Sequence, residues 1–281
     1  MPDPRVVIID GVDDPRVAEY RDIGDHDRLV ARGLFVAEGR LVVERLIDDR
    51  FRISSLLLNR AAFTALQPRL NDLHPETTTF ICATEDFEAL TGYPIHRGCL
   101  ALAERPAPRL LDDLLMRARS LVLLEDVGNA DNVGGIFRNA AAFGASAIIL
   151  SHGCADPLYR KAIRTSMAAT LRVPFSVVSF ADLWTPALTR VRAAGFQLVA
   201  LTLGAGAIEI DDWARGPRAD RFALLLGAEG SGLSADAESL ADVRVTIPIH
   251  SAVDSLNVSV AAGIALHRIT TATTAPADPS P

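Results

Sequence analysis

The fold is decided by the segment Val243-Arg-Val-Thr-Ile-Pro-Ile-His-Ser-Ala-Val-Asp-Ser-Leu-Asn-Val-Ser-Val-Ala-Ala-Gly-Ile-Ala-Leu-His267. It predicts a short buried strand up to Ile247, a polar loop after Pro248, and a helix capped by Asp254 or Ser255. From Val258 to Leu266 the helix is apolar or small on nearly every side, so we expect it to be buried. This run is too short to span a membrane, which needs ~20 apolar residues.

Ser255 and Asn257 place two hydrogen-bonding side chains at the start of a helix that is otherwise built for burial. Buried polar groups need partners. The pair is interpreted either as a helix cap or as part of a ligand site.

Length and composition limit the class of protein. With 281 residues, 49% of them hydrophobic, the chain can bury a substantial core and is expected to form two domains. It opens on polar and charged residues, which favours a cytoplasmic protein. The three cysteines (Cys82, Cys99 and Cys154) lack metal-ligand spacing and are expected to be reduced and mostly buried. The net charge of −7 argues against a protein that is basic all over, so contact with nucleic acid requires a local patch.

Apolar strands and amphipathic helices alternate in the first part of the chain. Strands are predicted at 34–37, 53–58, 77–83 and 98–103, with helices at 39–48, 61–70 and 85–90 between them. Residues 1–105 are therefore expected to form a small α/β domain. A proline-bearing linker at 106–115 follows it.

The alternation restarts with longer apolar strands at 121–127, 147–150, 175–178, 196–203, 222–226 and 243–247. Near-continuous apolar strands separated by helices predict a parallel sheet with helices on both faces. Ligands bind such sheets beyond the carboxyl ends of the strands. Three glycine-rich or polar loops leave these ends, at 128–135, 227–234 and 248–257. Residues 271–281 are expected to be disordered.

The sequence lacks the motifs of dinucleotide-binding, phosphate-loop, serine-nucleophile and metal sites. The segment Gly227-Ala-Glu-Gly-Ser-Gly232 does not match the dinucleotide-binding order, and no Gly-Lys-Ser/Thr phosphate loop or Gly-x-Ser-x-Gly nucleophile motif occurs. The six histidines show no metal-ligand spacing. No metal and no membrane is expected.

Three ordered segments resemble the motifs of the SpoU (TrmH-type) RNA ribose methyltransferases of the SPOUT class. They are Asn129 to Gly144, Leu226-Gly-Ala-Glu-Gly-Ser-Gly-Leu-Ser234, and Ile247-Pro up to Ser255-Leu-Asn-Val-Ser259. The resemblance covers about residues 116–270, and the first domain more loosely resembles a ribosomal-protein-like substrate-binding domain. The resemblance of the three motifs implies a C-terminal trefoil knot, a homodimer, S-adenosylmethionine as cofactor, and methyl transfer to a ribose 2′-hydroxyl of RNA.

The resemblance also implies the site residues. Arg138 matches the family's catalytic arginine and Asn132 its partner, while the other catalytic positions are Glu229, Ser255 and Asn257. Contacts to the cofactor are expected from Gly227, Ile247, Leu256 and Thr202.

Arg138 is expected to act through its charge. Methyl transfer to a hydroxyl is an in-line displacement that builds negative charge on oxygen, so it needs alignment and a nearby cation. A guanidinium stays protonated in proteins, since its pKa lies above ~12. We therefore favour Arg138 as an electrostatic stabiliser and phosphate holder over a general base.

Alternatives stay open. The same chemistry on transfer RNA, or a catalytically silent RNA-binding or assembly protein, would keep the same motifs, although the separate first domain favours ribosomal RNA. Basic residues at 97, 105, 109, 117, 119, 160, 161 and 164 form either an RNA-facing patch or ordinary solvated surface. Ser251 stands where the family commonly has glycine, which puts the affinity for the cofactor in question. His250 beside it either contacts substrate or is a solvent-exposed loop histidine.

Overall fold

The computed structural model describes residues 5–21, 23–92, 95, 98–204 and 206–274. Its strands are β1 (Val6–Ile8), β2 (Leu34–Glu38), β3 (Ile53–Leu58), β4 (Thr78–Ile81), β5 (Cys99–Glu104), β6 (Ser120–Leu124), β7 (Ala147–Leu150), β8 (Phe175–Val177), β9 (Gln197–Leu201), β10 (Ile208–Glu209), β11 (Phe222–Leu226) and β12 (Val243–Thr246). Its helices are α1 (His26–Ala31), α2 (Arg40–Asp48), α3 (Arg60–Leu66), α4 (Asp86–Thr91), α5 (Leu111–Arg117), α6 (Ala130–Ala142), α7 (Arg160–Thr165), α8 (Trp184–Ala193), α9 (Ile210–Arg215), α10 (Ala235–Leu240) and α11 (Val258–Thr274).

The chain divides into two compact units. The first comprises Met1–Ala107 and Leu158–Leu171, and the second comprises Pro108–Pro157 and Arg172–Pro281. The expected boundary near residue 105 is close to the first break. The return of residues 158–171 to the first unit differs from the expectation that 116–270 forms one domain.

The first unit contains a mixed sheet with the strand order β1-β4-β3-β5-β2. β5 runs antiparallel to β3 and β2, while β4 is parallel to β1 and β3. Leu57, Leu100 and Leu102 are fully buried in its core. The Tyr20 hydroxyl lies 2.8 Å from the Ser55 hydroxyl inside this core, so these two buried groups satisfy each other.

Helix α7 belongs to this first unit because it packs on β2. Glu38, at the end of β2, is buried, and one guanidinium nitrogen each of Arg160 and Arg164 lies 3.7 Å from its carboxylate. These two arginines therefore have a structural partner. Arg97 lies outside the described residues.

The second unit contains the predicted parallel sheet, with the strand order β10-β12-β9-β11-β6-β7-β8 and parallel pairing throughout the described strands. Side chains alternate between the two faces of a strand. Leu121 and Leu123 pack with α5, α8 and α10 on one face. Val122 and Leu124 are equally inaccessible on the other. Both faces are covered, as the apolar strands predict.

Helices α6 and α11 pack together closely through small residues. A methyl group at Gly135 would come within 2.8 Å of the Ser259 Cβ, so glycine is needed for this approach. The Asn139 amide nitrogen donates a hydrogen bond of 2.6 Å to the Ser259 carbonyl oxygen. The first motif is thereby attached to the helix that follows the third.

The start of α11 corrects one prediction. The cap is Asn257, whose side-chain oxygen accepts hydrogen bonds from the backbone N–H groups of Ser259 and Val260 at 3.0 and 3.3 Å. Asp254 and Ser255 lie in the preceding loop and do not cap the helix. The expectation of burial holds along most of Val258 to Leu266 and fails at Val260, which is 50% exposed.

Other boundaries differ because short segments carry little pattern. α5 begins at Leu111, inside the expected linker, and α6 begins at Ala130 with Asn129 as its cap, so the first loop is shorter than 128–135. α11 continues to Thr274, four residues into the segment expected to be disordered, and 275–281 lie outside the described residues. Strands β1 and β10 and helices α5 and α9 were not predicted.

Of the helices described, none is long and apolar enough to cross a membrane. All three cysteines are free, and burial raises the pKa of the Cys82 and Cys99 thiols to about 12. These two thiols are therefore protonated near neutral pH, and both cysteines are free and buried as expected.

Candidate functional site

The carboxyl ends of β9, β11 and β12 surround a cavity of about 470 Å³ in the second unit. These three strands are neighbours in the sheet and run in the same direction, so their outgoing loops meet. The lining includes all four residues predicted to bind the cofactor: Thr202, Gly227, Ile247 and Leu256. Two predicted catalytic residues, Glu229 and Ser255, also line it.

Gly227 begins a tight turn that forms one wall of this cavity. A Cβ atom at this position would lie 2.2 to 2.4 Å from the backbone of Gly232 and Leu233, closer than atoms can approach. The turn closes with a hydrogen bond of 3.0 Å from the Gly232 N–H to the Ala228 carbonyl oxygen. Gly230 and Gly232 have φ angles of 90° and 71°, which favour glycine. The glycines of the second motif thus serve backbone geometry.

Glu125, which sequence reasoning missed, fixes the far end of the same loop. Its buried carboxylate accepts hydrogen bonds from the Ser234 N–H at 2.9 Å and the Ser234 hydroxyl at 2.7 Å. The Ser234 hydroxyl oxygen in turn accepts from the Ala237 N–H at 3.2 Å and caps α10. An acidic residue directly after an apolar parallel strand was the signal in the sequence.

Asn257 joins the three motifs. Its side-chain nitrogen donates to the Asn132 side-chain oxygen at 2.8 Å and to a Glu229 carboxylate oxygen at 2.6 Å. Its side-chain oxygen caps α11. Asn132 is buried in the first turn of α6, where Asn129 is the cap. The structure therefore brings together three of the five predicted catalytic residues through one side chain.

A second polar pair lies in the cavity wall. The Thr202 hydroxyl donates to a Glu238 carboxylate oxygen at 2.7 Å, and its oxygen accepts from the Gly204 N–H at 3.1 Å. Glu238 lies on α10 and lines the cavity, as does Asp254 from the loop after β12. Neither carboxylate was among the predicted site residues.

Arg138 is not part of the cavity lining. It is exposed on α6, six residues after Asn132, which corresponds to about 9 Å along the helix and about 120° around its axis. Among the described residues it has no hydrogen-bond or ion-pair partner, so no contact joins it to Glu229 or Asn257 within one copy of the chain. Its catalytic role stays a prediction.

The loop before Ser255 removes one concern about the third motif. Ser251 is not among the described residues with positive φ and does not line the cavity, so its backbone has no need of glycine. The exposed His250 accepts a hydrogen bond from the Ala252 N–H at 3.1 Å through its side chain. Within the described ranges, no group of three or more His, Cys, Asp or Glu side chains is placed to hold a metal ion.

The sequence of this chain is similar to those of known RNA methyltransferases. The model of the SpoU rRNA Methylase family matches residues 119–267. An uncharacterised tRNA/rRNA methyltransferase of Mycobacterium bovis is 37% identical over 263 residues, covering 92% of this chain and 89% of the relative. A 23S rRNA (guanosine(2553)-2′-O)-methyltransferase of Bacillus subtilis is 23% identical, covering 93% of this chain and 98% of that protein.

The fold is also found among solved structures. An AdoMet-bound rRNA methyltransferase from Sinorhizobium meliloti superimposes with a TM-score of 0.79 and 25% identity, covering 94% of this chain and 97% of that one. The similarity extends over both units of the chain.

Proposed function

Because the chain belongs to the SpoU rRNA Methylase family, we propose that it transfers a methyl group from S-adenosylmethionine to a ribose 2′-hydroxyl of RNA. Membership of this family confirms the resemblance carried by the three motifs and makes the chain an RNA methyltransferase. One observation carries the finer proposal. Thr202, Gly227, Ile247 and Leu256, chosen from separate parts of the sequence, line a single cavity beside the polar cluster of Asn132, Glu229 and Asn257.

S-adenosylmethionine as the cofactor is confirmed by the family and by the AdoMet-bound S. meliloti relative. The residues of this chain fit the molecule. The cavity volume lies in the range typical of small-molecule sites, roughly 300 to 1,000 Å³. Leu201, Leu226 and Val258 supply apolar wall for an adenine ring, while Gly227 permits close approach to the backbone. When bound, the cofactor supplies an electrophilic methyl group on a sulfonium.

The chain's own residues would orient the acceptor. Asn257 holds Glu229, which lines the cavity, and the start of α6 in one geometry, which fixes these polar groups before RNA arrives. Arg138 would stabilise the negative charge that develops on the ribose oxygen and hold a neighbouring phosphate. The hydroxyl proton would leave to water or to a phosphate oxygen, since the guanidinium keeps its own proton.

We test the role of Arg138 with Arg138→Lys, measuring methylation and cofactor affinity separately. A charge role predicts partial activity, because lysine retains the cation, with cofactor affinity unchanged. Complete loss of activity with intact cofactor binding would instead indicate that the planar guanidinium fork, or base chemistry, is required.

A homodimer is part of the proposal. Arg138 does not line the cavity of its own copy, and Val260 leaves apolar surface exposed on α11. A second copy covering this helix would bury that surface and would supply an Arg138 to complete the site. The trefoil knot and a cytoplasmic location are likewise proposed from the family resemblance.

Ribosomal RNA is the proposed substrate, and transfer RNA is the alternative. The B. subtilis relative acts on 23S rRNA, and its similarity covers the first unit, which we propose to bind RNA. Mapping blocked 2′-hydroxyls in RNA from cells with and without the protein tests this. A site lost from ribosomal RNA supports the proposal, and a site lost only from transfer RNA contradicts it.

A catalytically silent RNA-binding protein is the competing function. The intact hydrogen-bond network of Asn132, Glu229 and Asn257 disfavours it. Calorimetry with S-adenosylmethionine separates the two, since the silent protein would show no binding.

A further inference from the structure

The charged side chains that line the cavity are all acidic. Within the described part of the chain, three carboxylates line it, from Glu229, Glu238 and Asp254, and no lysine, arginine or histidine does. Nucleotide-binding sites for phosphates place cations or bare helix termini against the ligand. This cavity has the opposite character, so its electrostatic potential favours a cationic ligand.

We propose that the cavity selects its ligand by charge, and that Glu238 is a specificity-determining residue that favours the cationic methyl donor over the neutral-sulfur product. The inference rests on the proposed function, because it concerns the same cavity and the same cofactor. It adds a reason why the product leaves and why abundant phosphate-bearing nucleotides do not occupy the site.

Glu238 is the carboxylate best placed to carry this effect. It is half-buried, and the Thr202 hydroxyl holds one of its oxygens at 2.7 Å, so its position is fixed and its charge is only partly screened by water. Glu229 is exposed and engaged with Asn257. Asp254 is exposed in the loop, where solvent screens it more strongly.

The charge change follows from the reaction. The bond between the methyl carbon and sulfur breaks, its electron pair stays on sulfur, and the sulfonium becomes a neutral thioether. The methyl carbon bonds to the ribose oxygen, whose proton leaves. The ligand in the cavity therefore loses one positive charge at the moment of transfer, and with it the attraction of the surrounding carboxylates.

Calorimetry on the full chain tests the proposal with two probes, S-adenosylmethionine and S-adenosylhomocysteine. The variant is Glu238→Gln, which keeps a hydrogen-bond acceptor for Thr202 and removes the charge. The matched control is Asp236→Asn, which removes a charge from the exposed face of the same helix outside the cavity. We expect Glu238→Gln to lower the affinity for S-adenosylmethionine by about fivefold. The affinity for S-adenosylhomocysteine should change by less than about twofold. The control should leave both affinities unchanged.

A second variant, Asp254→Asn, keeps the test decisive if Glu238→Gln does not fold. It should also lower the affinity for S-adenosylmethionine relative to that for S-adenosylhomocysteine, by a smaller factor. Equal weakening of both probes would overturn the proposal, because it would show that Glu238 only supports the wall through Thr202. An unchanged ratio in both variants would overturn it as well. Failure of the unmodified chain to bind either probe would instead contradict the proposed function itself.

Discussion

Gly227 has no room for a side chain, and this makes it the sharpest single-residue test of the cavity. A Cβ atom there would overlap the backbone of Gly232 and Leu233, so Gly227→Ala must displace the turn that forms the wall. We predict that Gly227→Ala weakens binding of S-adenosylmethionine by at least about tenfold, since a backbone shift of about 1 Å is enough to disrupt a preorganised site. Calorimetry measures the change.

Gly128→Ala is the matched control, because its nearest atom would be the Gly153 carbonyl oxygen at an ordinary 3.9 Å. It should bind the cofactor as the unmodified chain does. Equal affinities for Gly227→Ala and the unmodified chain would show that the cofactor does not depend on this turn.

At the level of single residues, the sequence predicted which residues line the cavity better than it predicted which side chains hydrogen-bond to each other. Gly227, Ile247 and Leu256, which line the cavity, were predicted from the motifs, and Thr202 was predicted from the end of the preceding strand. The partners of Glu125 and Glu238 could not be predicted, since Ser234 and Thr202 are distant from them in sequence and become their neighbours only in the folded protein.

Among the elements, α11 depends on Asn257 for two separate reasons. The side-chain oxygen caps the helix and the side-chain nitrogen holds Asn132 and Glu229. Asn257→Asp keeps the cap acceptor but loses the donor and places a carboxylate beside Glu229. We predict a loss of methylation of about 100-fold or more, with the helix retained by circular dichroism.

Two further variants separate these roles. Asn257→Ala should lose the cap as well, which costs about 1 kcal/mol of stability in urea denaturation. Asn129→Asp makes the same chemical change at the cap of α6, where the side-chain oxygen accepts from the backbone N–H groups of Asp131 and Asn132, and should leave activity closer to that of the unmodified chain. Full activity in Asn257→Asp would remove Asn257 from the account of the site.

Sequence periodicity predicted the long elements and missed the short ones. Every predicted strand of the parallel sheet is present, because five or so apolar residues between turn signals form a readable pattern. β10 has two residues and β1 has three, too few for alternation to show. The exposed face of α11 could not be predicted either, since apolar residues there are compatible with burial in one chain or against a second copy.

For the whole molecule, the assignment of residues 158–171 to the first unit makes a prediction about fragments. The chain region matched by the family model includes these residues, yet α7 packs on β2 and its arginines contact Glu38. A fragment comprising residues 108–281 would leave this face of α7 without its partner. We predict weak hydrogen-exchange protection at 158–171 in the fragment and strong protection in the full chain.

The control is the parallel sheet itself, whose strands β6, β9 and β11 should stay protected in the fragment. Equal protection of residues 158–171 in both proteins would show that α7 is held by the second unit. The sequence could not have predicted that residues 158–171 belong to the first unit, because the order of elements along the chain does not determine which sheet a helix packs on.

The central claim is that the cavity between residues 201 and 261 serves methyl transfer to a ribose hydroxyl. The most direct measurement incubates the full chain with methyl-labelled S-adenosylmethionine and ribosomal RNA from cells lacking the protein, then digests the RNA to nucleosides. The account predicts label in a 2′-O-methylated nucleoside, and clearly less label with Gly227→Ala at a limiting concentration of cofactor. Label in a methylated base, or no label in any nucleoside, would contradict it.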